Sequence, residues 1–338
     1  MAYEVFTCSD IGTKFCPCHL AESGQCIICS QLNSGNCHCT HWNGTCVYQE
    51  LIWNNNKAKK GREVFECKVV DKYIVEEDVL VLSLKGSHEL IHDLRDMGSF
   101  VFLKRVDQEE SFFTPISVMD IDLEKNLIIL AIELKGVKTL DLNNLEIDDT
   151  VLVKGPFWNG ILGIRHLKNV TGKTCLLICR GIGQAPMIPV LKYLHEKGNK
   201  VIVLNDKANI KGSLIDDYLN KYAYKVYDCS CLEKGKLTKS FKELLVDQVI
   251  SKSPVVVHCD GADILNYEVM ITLDKIKESL KSAGVEKNIE YSCCNNAKMC
   301  CGEGVCGACT RKNNDRKLRR LCKMQTDPKY VLEGRRLF

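Results

Sequence analysis

The sequence CLLICRGIGQAP at residues 175–186 combines a short apolar run, a glycine turn and the start of a segment with helical spacing. A glycine turn between a buried strand and a helix leaves free backbone amides at the helix N-terminus, where a pyrophosphate can bind. A G-x-G turn is also an ordinary connection between a strand and a helix, so the surrounding pattern has to decide between the two interpretations. The candidate nucleotide-binding residues are Gly181, Ile182, Gly183 and Pro186.

Strands and helices alternate on both sides of this turn, from residue 171 to residue 284. The apolar runs at 200–205, 224–227 and 254–259 predict further strands, and the intervening segments have helical spacing. This alternation predicts a parallel sheet with helical crossovers, and it favours NAD(P)H as the ligand of the turn. Asp206 ends the second strand, where it can bond a ribose or simply occupy a turn. Lys207 beside it tolerates a 2′-phosphate, so the choice between NADH and NADPH stays open.

The segment before the nucleotide domain, residues 62–170, has a different pattern. Short runs of alternating or continuous apolar residues are separated by turn residues, as in Asp-Met-Gly at 96–98 and Glu-Lys-Asn at 124–126. Several short strands at this spacing predict a small antiparallel β-barrel. The predicted strands are Val64–Val70, Val79–Leu84, Phe100–Leu103, Ile116–Met119, Leu127–Ile132 and Val151–Val153, with one short helix at Glu89–Asp96.

The segment after it, residues 285–338, carries four cysteines at the spacing C-x4-C-x2-C-x12-C. Three glycines lie between the first three cysteines, where the backbone must turn sharply around a compact inorganic centre. The spacing is that of [2Fe–2S] ligation, with a zinc knuckle as the alternative. The predicted ligands are Cys301, Cys306, Cys309 and Cys322, and the neighbouring Cys293, Cys294 and Cys300 are possible replacements.

This C-terminal segment is also basic. It contains twelve Lys or Arg and six Asp or Glu, a net charge of +6, whereas the whole chain carries +3. Cations near a dianionic cluster stabilise it and can steer an acidic electron carrier; a solvated loop is the alternative. No aromatic residues are interleaved with the basic ones, which argues against nucleic acid. The excess consists of Arg311, Lys312, Arg316, Lys317, Arg319, Arg320 and Lys323.

Eight cysteines in the first fifty residues form an internal repeat with an offset of 21 residues for three pairs and 20 for the last. Small and polar residues separate them, so this module, residues 1–53, cannot build an adequate core and needs a metal as a staple. Two four-cysteine sites are the simplest arrangement, each holding an iron–sulfur cluster or zinc, with iron–sulfur slightly favoured. Ligands shared across the repeat, His19, His38 or His41 as substitutes, and disulfides are the alternatives. The cysteines are Cys8, Cys16, Cys18, Cys26, Cys29, Cys37, Cys39 and Cys46.

The overall composition of the chain restricts the class of protein and its cellular location. The chain has 338 residues, 45% of them hydrophobic and 26% charged, which is typical of a globular protein with two or three domains. No apolar run is long enough for a membrane helix, and no signal peptide is visible, so we expect a cytoplasmic protein without membrane insertion. Twenty-one cysteines then indicate metal binding rather than disulfides. A polar segment, residues 54–61, is the expected linker after the first module.

Six motifs in this order resemble the ferredoxin-NADP-reductase-like family, in particular the electron-transfer subunit of dihydroorotate dehydrogenase and the FAD- and NAD-binding iron–sulfur subunit of sulfide dehydrogenase. The resemblance covers about residues 62–338. Three departures stand out: Phe113 and Thr114 replace the family's arginine before the flavin-strand proline, Trp158 replaces a glycine, and Asp260 follows Cys259 where the family has glycine. The matching stretches are Met97–Val101, Thr114–Val118, Gly136–Thr139, Gly155–Gly160, Gly181–Pro186 and Cys259–Gly261.

The resemblance implies an electron-transfer oxidoreductase that passes electrons between NAD(P)H, FAD and iron–sulfur centres. It implies a partner protein, either a ferredoxin-like carrier or a dehydrogenase subunit. The three departures keep a second hypothesis open: a non-catalytic, redox-sensing or scaffold module with a degenerate flavin site and zinc-bound cysteines. The residues that the resemblance assigns to FAD are Thr114, Pro115, Ile116 and Ser117 on one strand and Gly136, Val137, Lys138 and Thr139 on a turn.

The sequence therefore predicts a multidomain protein of the α/β plus β class. Its expected parts are a cysteine-rich N-terminal metal module at 1–53, an antiparallel β-barrel flavin domain at 62–170, a parallel-sheet nucleotide domain at 171–284 and a C-terminal [2Fe–2S] module at 285–338.

Overall fold

A computed structural model describes residues 7–39, 44–76, 78–210, 212–312 and 318–333. His41, Arg316 and Lys317, which the sequence analysis singled out, lie outside these described residues. Among the described residues, no helix combines the length and the apolar character needed to cross a membrane.

The N-terminal segment contains one short strand and three short helices, and each helix begins directly after a cysteine. Its small core is built from Ala21, Val47 and Leu51 together with two of the cysteine side chains. The elements are β1 (Thr7–Cys8), α1 (His19–Glu22), α2 (Ser30–Ser34) and α3 (Val47–Trp53).

The expected linker is irregular in structure but is attached to this segment. The backbone amide of Lys59 donates to the Pro17 carbonyl at 2.8 Å, and that of Ala58 donates to the Glu22 carboxylate at 2.6 Å. The linker is therefore hydrogen-bonded to the N-terminal segment and does not connect it to the barrel as a free loop.

The next part is a closed six-stranded barrel, and every pair of neighbouring strands in it is antiparallel. Each predicted strand lies within an observed one, because the apolar positions that revealed the strands fill the barrel interior. Helix α5 was not foreseen, since its residues were assigned to a turn. The elements are β2 (Glu63–Val75), β3 (Val79–Lys85), α4 (His88–Asp93), β4 (Phe100–Arg105), β5 (Thr114–Asp122), β6 (Leu127–Glu133), α5 (Val137–Leu142) and β7 (Thr150–Phe157). Around the barrel the order is β2-β3-β6-β5-β4-β7.

The following part is a six-stranded sheet flanked by helices, as predicted, with parallel strands except at one edge. Its apolar strands pack against helices on both faces. The elements are β8 (Ile161–Leu162), α6 (Arg165–Lys168), β9 (Thr174–Arg180), α7 (Gln184–Glu196), β10 (Lys200–Asp206), α8 (Asp216–Tyr222), β11 (Lys225–Asp228), β12 (Leu232–Glu233), β13 (Lys236–Leu237), α9 (Lys239–Lys252), β14 (Val256–Asp260), α10 (Asp263–Ser282) and β15 (Glu290–Cys294). The strand order is β11-β10-β9-β14-β15-β8, and β12 pairs with β13 in a separate hairpin.

Two strands of this sheet lie outside the limits that the sequence predicts for the nucleotide domain. β15 was placed in the C-terminal module, yet it extends the parallel sheet beside β14. β8 was placed in the barrel domain, yet it pairs antiparallel with β15. Both strands are short, so neither gave a periodic signal long enough to assign it from sequence.

The C-terminal segment forms a hairpin and then returns to the beginning of the chain. Its elements are β16 (Thr310–Lys312), β17 (Leu318–Arg320), β18 (Met324–Gln325) and α11 (Lys329–Leu332). β18 pairs antiparallel with β1, so the two cysteine-rich ends of the chain lie side by side.

Candidate functional site

A cavity of about 570 Å³ lies between the barrel and the α/β part. The barrel contributes the β5 strand and Thr139, and the α/β part contributes the glycine turn and Gly261 after β14. The structure thus brings eight of the thirteen residues predicted to bind FAD or NAD(P)H into the lining of one cavity. The predicted residues that line it are Thr114, Pro115, Ile116, Ser117, Thr139, Ile182, Gly183 and Pro186. Those beside it but not in its lining are Gly136, Val137, Lys138, Gly181 and Asp206.

The glycine turn is held by close backbone packing. Gly181 has a φ of +56°, a conformation that favours glycine. A Cβ atom at Gly183 would lie 2.2 Å from the carbonyl oxygen of Asp260, so the turn fits against the end of β14 only without a side chain. Helix α7 begins directly after the turn, and Pro186 lies in its first helical turn. Ile182, Gly183, Ala185 and Pro186 line the cavity, so the start of this helix borders the space where a phosphate would bind.

Asp206 lies at the end of β10, as predicted, but protein donors occupy its carboxylate. It accepts from Arg180 Nε at 3.0 Å and from the backbone amides of Ala208 and Cys231 at 2.9 and 2.7 Å. The residue is only 5% exposed. Its side chain therefore joins the ends of neighbouring strands, which fits the turn interpretation, and it orients Arg180 in the cavity wall.

Phe113 and Thr114 occupy the positions where the family pattern has arginine before the proline of this strand. Phe113 packs into an aromatic cluster in which the Phe100 and Phe157 rings stack with centroids 5.2 Å apart. The ammonium group of Lys138 lies 3.4 Å from the Phe113 carbonyl oxygen. A cation is therefore present beside the position of the missing arginine, although it comes from α5 rather than from the strand.

The C-terminal cysteine loop is shaped by left-handed glycines and by amide–sulfur hydrogen bonds. Gly302, Gly304 and Gly307 have φ values of +69°, +78° and +77°. The Sγ atom of Cys301 accepts from the amides of Glu303 and Cys306 at 3.3 and 3.5 Å, and that of Cys309 accepts from the amide of Cys322 at 3.4 Å. Amide donors stabilise thiolate sulfur, so this loop fits an iron–sulfur cluster.

The thiols of this loop differ in exposure and in acidity. Cys309 and Cys322 are buried, whereas Cys306 and Cys300 are exposed. A hydrogen bond from the Cys322 thiol lowers the pKa of Cys309, and the same contact raises the pKa of Cys322.

The possible replacement ligands on β15 have other surroundings. Cys293 is fully buried in the sheet core. The Cys294 thiol donates to the Gly261 carbonyl at 3.2 Å and accepts from Asn266 at 3.3 Å, on the side of the nucleotide cavity.

The basic run of the C-terminal segment is not a solvent-facing patch in the parts that the structure describes. Arg319 is fully buried with its guanidinium 4.9 Å from the Tyr330 ring centroid. Lys323 is also fully buried, and Arg320 donates to the Gly304 carbonyl at 2.6 Å. The alternative of a solvated loop is therefore wrong for Arg319 and Lys323, whereas Arg320 is half-buried against the cysteine loop and its role near a cluster stays a prediction.

Four charged side chains form a buried cluster between the N-terminal segment, the barrel and the C-terminal loop. Arg62 Nη1 donates to Asp10 Oδ2 at 2.8 Å and to Glu303 Oε2 at 2.9 Å. Lys323 Nζ donates to Glu303 Oε2 at 2.8 Å and also contacts Asp10. The side chains of Arg62 and Lys323 are 1% exposed and that of Asp10 is 2% exposed. Burial raises the pKa of both carboxyls, but the two cations outweigh it and hold each pKa below its ordinary value.

Sequence reasoning missed this cluster, although its members lie close to predicted ligands. Three of the four charged residues in the cluster lie one or two positions from a cysteine in the sequence. This proximity is the signal from which the cluster could have been predicted. The pairs are Cys8 with Asp10, Cys301 with Glu303, and Cys322 with Lys323.

Trp158, the residue that departs from the family's glycine, contacts the same region. Its ring centroid lies 5.8 Å from that of Phe15, and its Nε1 donates to the Asp93 carbonyl at 2.8 Å. The guanidinium carbon of Arg62 lies 4.2 Å from the Phe15 ring centroid. The tryptophan therefore covers the barrel where the N-terminal segment docks.

The N-terminal cysteines form two neighbourhoods. In the first, the pKa of the Cys16 thiol is raised to about 12. Burial is the main cause, and the nearby Cys18 and Cys26 thiols add to it. In the second, the Sγ atoms of Cys37 and Cys39 are 2.9 Å apart. Within the described residues, no group of three or more His, Cys, Asp or Glu side chains is arranged to hold a single metal ion.

Curated relatives carry the name expected from the resemblance. The electron transfer subunit of dihydroorotate dehydrogenase B (NAD(+)) from Clostridium acetobutylicum is 29% identical over 256 residues, which are 76% of this chain and 91% of the relative. The corresponding subunit from Listeria welshimeri is 28% identical over 72% of this chain and 87% of its own length. These relatives confirm the predicted resemblance. No protein-family model matches the chain.

A solved structure shares the fold. The NADH-dependent reduced ferredoxin-NADP oxidoreductase matches with a TM-score of 0.59 at 21% identity, and the match covers 78% of this chain and 86% of that one. This likeness confirms the predicted fold, in which a β-barrel domain is followed by a parallel-sheet domain.

Proposed function

We propose that the chain is an electron-transfer oxidoreductase that moves electrons between NAD(P)H, FAD and iron–sulfur centres on behalf of a protein partner. The shared cavity supports this proposal, because residues of β5 and of the glycine turn, to which we assign the flavin and the nucleotide, line the same space of about 570 Å³. The curated relatives, which are named as electron transfer subunits, support the same activity.

FAD fits the barrel side of the cavity. The β5 residues Thr114–Ser117 offer backbone and hydroxyl groups along the wall, and Thr139 lines the same cavity. The N-terminus of the short helix α5, with Gly136–Thr139, is exposed beside the cavity. We assign Lys138 the phosphate-neutralising role that the family gives to an arginine, since its ammonium group lies next to Phe113.

NAD(P)H fits the α/β side. The amides of Ile182 and Gly183 and the first turn of α7 would hold the pyrophosphate, and Arg180 supplies a positive charge in the same wall. Asp206 acts on the nucleotide through Arg180 rather than by direct contact. Whether NADH or NADPH is preferred depends on the segment around Lys207, whose ammonium group already pairs with Asp216 at 3.2 Å.

The chemistry divides between cofactor and protein. A bound flavin converts the two-electron chemistry of a nicotinamide into one-electron chemistry. The residues that line the cavity would orient the two ring systems toward each other. The end of β14, where a Cβ on Gly183 has no room, holds the nucleotide turn closely against the sheet.

We assign the [2Fe–2S] cluster to Cys301, Cys306, Cys309 and Cys322, supported by the amide–sulfur contacts of this loop. The eight N-terminal cysteines would hold further iron–sulfur or zinc. We retain four functional parts at 1–53, 62–170, 171–284 and 285–338, with β8 and β15 as structural contributions to the nucleotide sheet.

The partner is proposed by analogy with the relatives. A chain named as an electron transfer subunit serves a catalytic subunit, so we propose a dehydrogenase-type partner, with a ferredoxin-like carrier as the second candidate. A non-catalytic, redox-sensing module with zinc at the cysteines is the competing function, favoured by Phe113 in place of arginine.

Cofactor analysis tests the proposal. Protein purified without oxygen is assayed for flavin, iron, acid-labile sulfide and zinc, and its visible spectrum is recorded before and after NADH and NADPH. We expect one FAD per chain, iron with sulfide, and bleaching by one of the two nucleotides. A flavin-free protein that contains zinc and does not respond to either nucleotide would establish the competing function.

A further inference from the structure

Asn295 lines the cavity between the barrel and the α/β part, and its side chain also contacts the segment that carries the last proposed cluster ligand. Its Nδ2 atom donates to the carbonyl oxygen of Leu321 at 2.8 Å and to that of Asn159 at 2.7 Å. Its Oδ1 atom accepts from the amide of Ala297 at 3.2 Å. A side-chain amide has two N–H donors, and both have protein acceptors here, so these contacts hold the Asn295 side chain in one orientation.

A second asparagine holds the same carbonyl group. Asn159, which follows β7, is fully buried, and its Nδ2 atom donates to the Leu321 carbonyl at 2.6 Å and to the Met324 carbonyl at 2.9 Å. The Leu321 carbonyl thus accepts one hydrogen bond from each asparagine, which uses both of its lone pairs. Leu321 is itself fully buried, so water does not compete for these contacts.

The peptide unit that contains this carbonyl leads directly to the cysteine loop. The amide N–H of Cys322 belongs to the same peptide unit as the Leu321 carbonyl, and it donates to Cys309 Sγ at 3.4 Å. A continuous chain of hydrogen bonds therefore runs from Asn295 in the cavity wall, through one peptide unit, to the sulfur of a proposed ligand. Hydrogen bonds in such a chain polarise one another, so the two donors at the carbonyl strengthen the amide as a donor to the sulfur.

A hydrogen bond to a ligand sulfur changes the properties of an iron–sulfur cluster in a defined direction. Such hydrogen bonds are among the factors that set the reduction potential of the cluster. Reduction adds one negative charge, and a donor at the sulfur stabilises that charge, so a stronger donor raises the potential. Cys309 and Cys322 are both buried, so the protein rather than solvent supplies this donor.

We propose that Asn295, together with Asn159, is a positioning residue that sets the reduction potential of the [2Fe–2S] cluster assigned to the C-terminal loop. The two asparagines act by orienting and polarising the peptide unit between Leu321 and Cys322. This inference rests on the proposed function, since it requires the cluster in that loop. It goes beyond that function because it makes one residue part of the cavity wall and of the support of the cluster.

Redox titration of the full chain, purified without oxygen and followed by the EPR signal of the reduced [2Fe–2S] cluster, tests this proposal. Asn295→Leu removes both donors and keeps a side chain of similar size. Asn296→Leu is the matched control, because Asn296 lines the same cavity but donates to the Gly261 carbonyl at 2.7 Å and to Asp263 at 3.2 Å, on the nucleotide side. We expect the midpoint potential to shift to a more negative value in Asn295→Leu and to keep its wild-type value in the control. An unchanged potential in Asn295→Leu, or an equal shift in both variants, would overturn the proposal.

Cofactor counts separate this inference from the proposed function and from a loss of folding. Each protein is assayed for flavin, iron and acid-labile sulfide, and its EPR signal is integrated after reduction with dithionite. A wild-type chain without a [2Fe–2S] signal would refute the proposed function and this inference with it, whereas a wild-type cluster with no shift in the variant would refute the inference alone. If Asn295→Leu does not retain the cluster, Asn295→Ala is titrated instead. Loss of the cluster from both variants, with retention in the control, would overturn the role in setting the potential and leave Asn295 as a structural contact.

Discussion

Arg62 and Glu303 are 241 positions apart in the chain, yet Arg62 Nη1 and Glu303 Oε2 lie 2.9 Å apart in a buried ion pair. Arg62 opens the barrel, and Glu303 lies in the C-terminal cysteine loop. Asp10 from the N-terminal segment binds the same guanidinium. One side chain thus fastens three parts of the molecule, and two of them carry the proposed metal ligands.

The variant Arg62→Met should destabilise the protein by about 3–5 kcal/mol, the usual cost of removing one partner from a buried ion pair. It leaves the Asp10 and Glu303 carboxylates with Lys323 as their remaining cation in the cluster. Urea unfolding measures the loss. Lys60→Met is the matched control, because Lys60 pairs with Glu63 in solvent at 83% side-chain exposure. An equal stability for the two variants would contradict the role given to the cluster.

The barrel and the parallel sheet could be predicted because their signals are local. The apolar residues of β3 and β9 follow one another in sequence, and burial of one face fixes their spacing. The glycine turn was recognisable for the same reason. The pairing of β1 with β18 could not be predicted, since two-residue strands carry no periodicity and their partners are separated by almost the whole chain.

The charged residues show a different limit of the sequence. Lys323 and Arg319 contributed to a net charge that suggested an exposed basic surface, but both are buried. The amino-acid composition gives the number of charged side chains, but it does not show which of them are neutralised by contacts within the fold. Asp206 was correctly placed at a strand end, and its three protein donors were not foreseeable because one of them belongs to a loop 25 positions away.

Acidification should weaken the attachment of α11. The pKa of Asp327 is lowered from its ordinary value: burial opposes the shift, and the nearby His166 and the amide of Lys329 outweigh it. A lowered pKa stabilises the fold at pH values above the unfolded pKa of about 3.9, and this contribution disappears as the pH falls through the folded value. Asp327→Asn should therefore flatten the decline of unfolding free energy between about pH 5 and pH 2. Asp274→Asn, at an exposed position, is the control, and an identical decline in Asp327→Asn and wild type would refute this.

Gly136→Ala should lower FAD affinity without changing the fold. A Cβ atom at this position would meet no protein atom within 4 Å, and φ is −112°, which any residue adopts. A methyl group there would intrude on a pyrophosphate that approaches the turn. We expect the dissociation constant for FAD to rise by at least about tenfold, or ~1.4 kcal/mol. Flavin fluorescence titration of the apoprotein measures it, and an unchanged constant would place the pyrophosphate elsewhere.

Lys138→Met should also weaken FAD binding, and Lys138→Arg should preserve it, because FAD binding is expected to depend on the positive charge beside Phe113. Lys135→Met is the matched control, since Lys135 is a nearby exposed lysine that pairs with Glu133 at 2.7 Å. The FAD content of the purified variants is the measurement. Equal FAD content in Lys138→Met and Lys135→Met would remove Lys138 from the site.

Cys301→Ser and Cys300→Ser separate the two candidates for the first cluster ligand. The sulfur of Cys301 accepts two backbone hydrogen bonds from inside the loop, whereas Cys300 is exposed. Amide donors support the negative charge of a cluster ligand, so Cys301→Ser should abolish the EPR signal of the reduced [2Fe–2S] cluster and Cys300→Ser should retain it. Cys306→Ser and Cys309→Ser should behave as Cys301→Ser does. If Cys300→Ser alone lost the signal, the ligand set would begin one residue earlier, and the amide contacts to Cys301 would be structural.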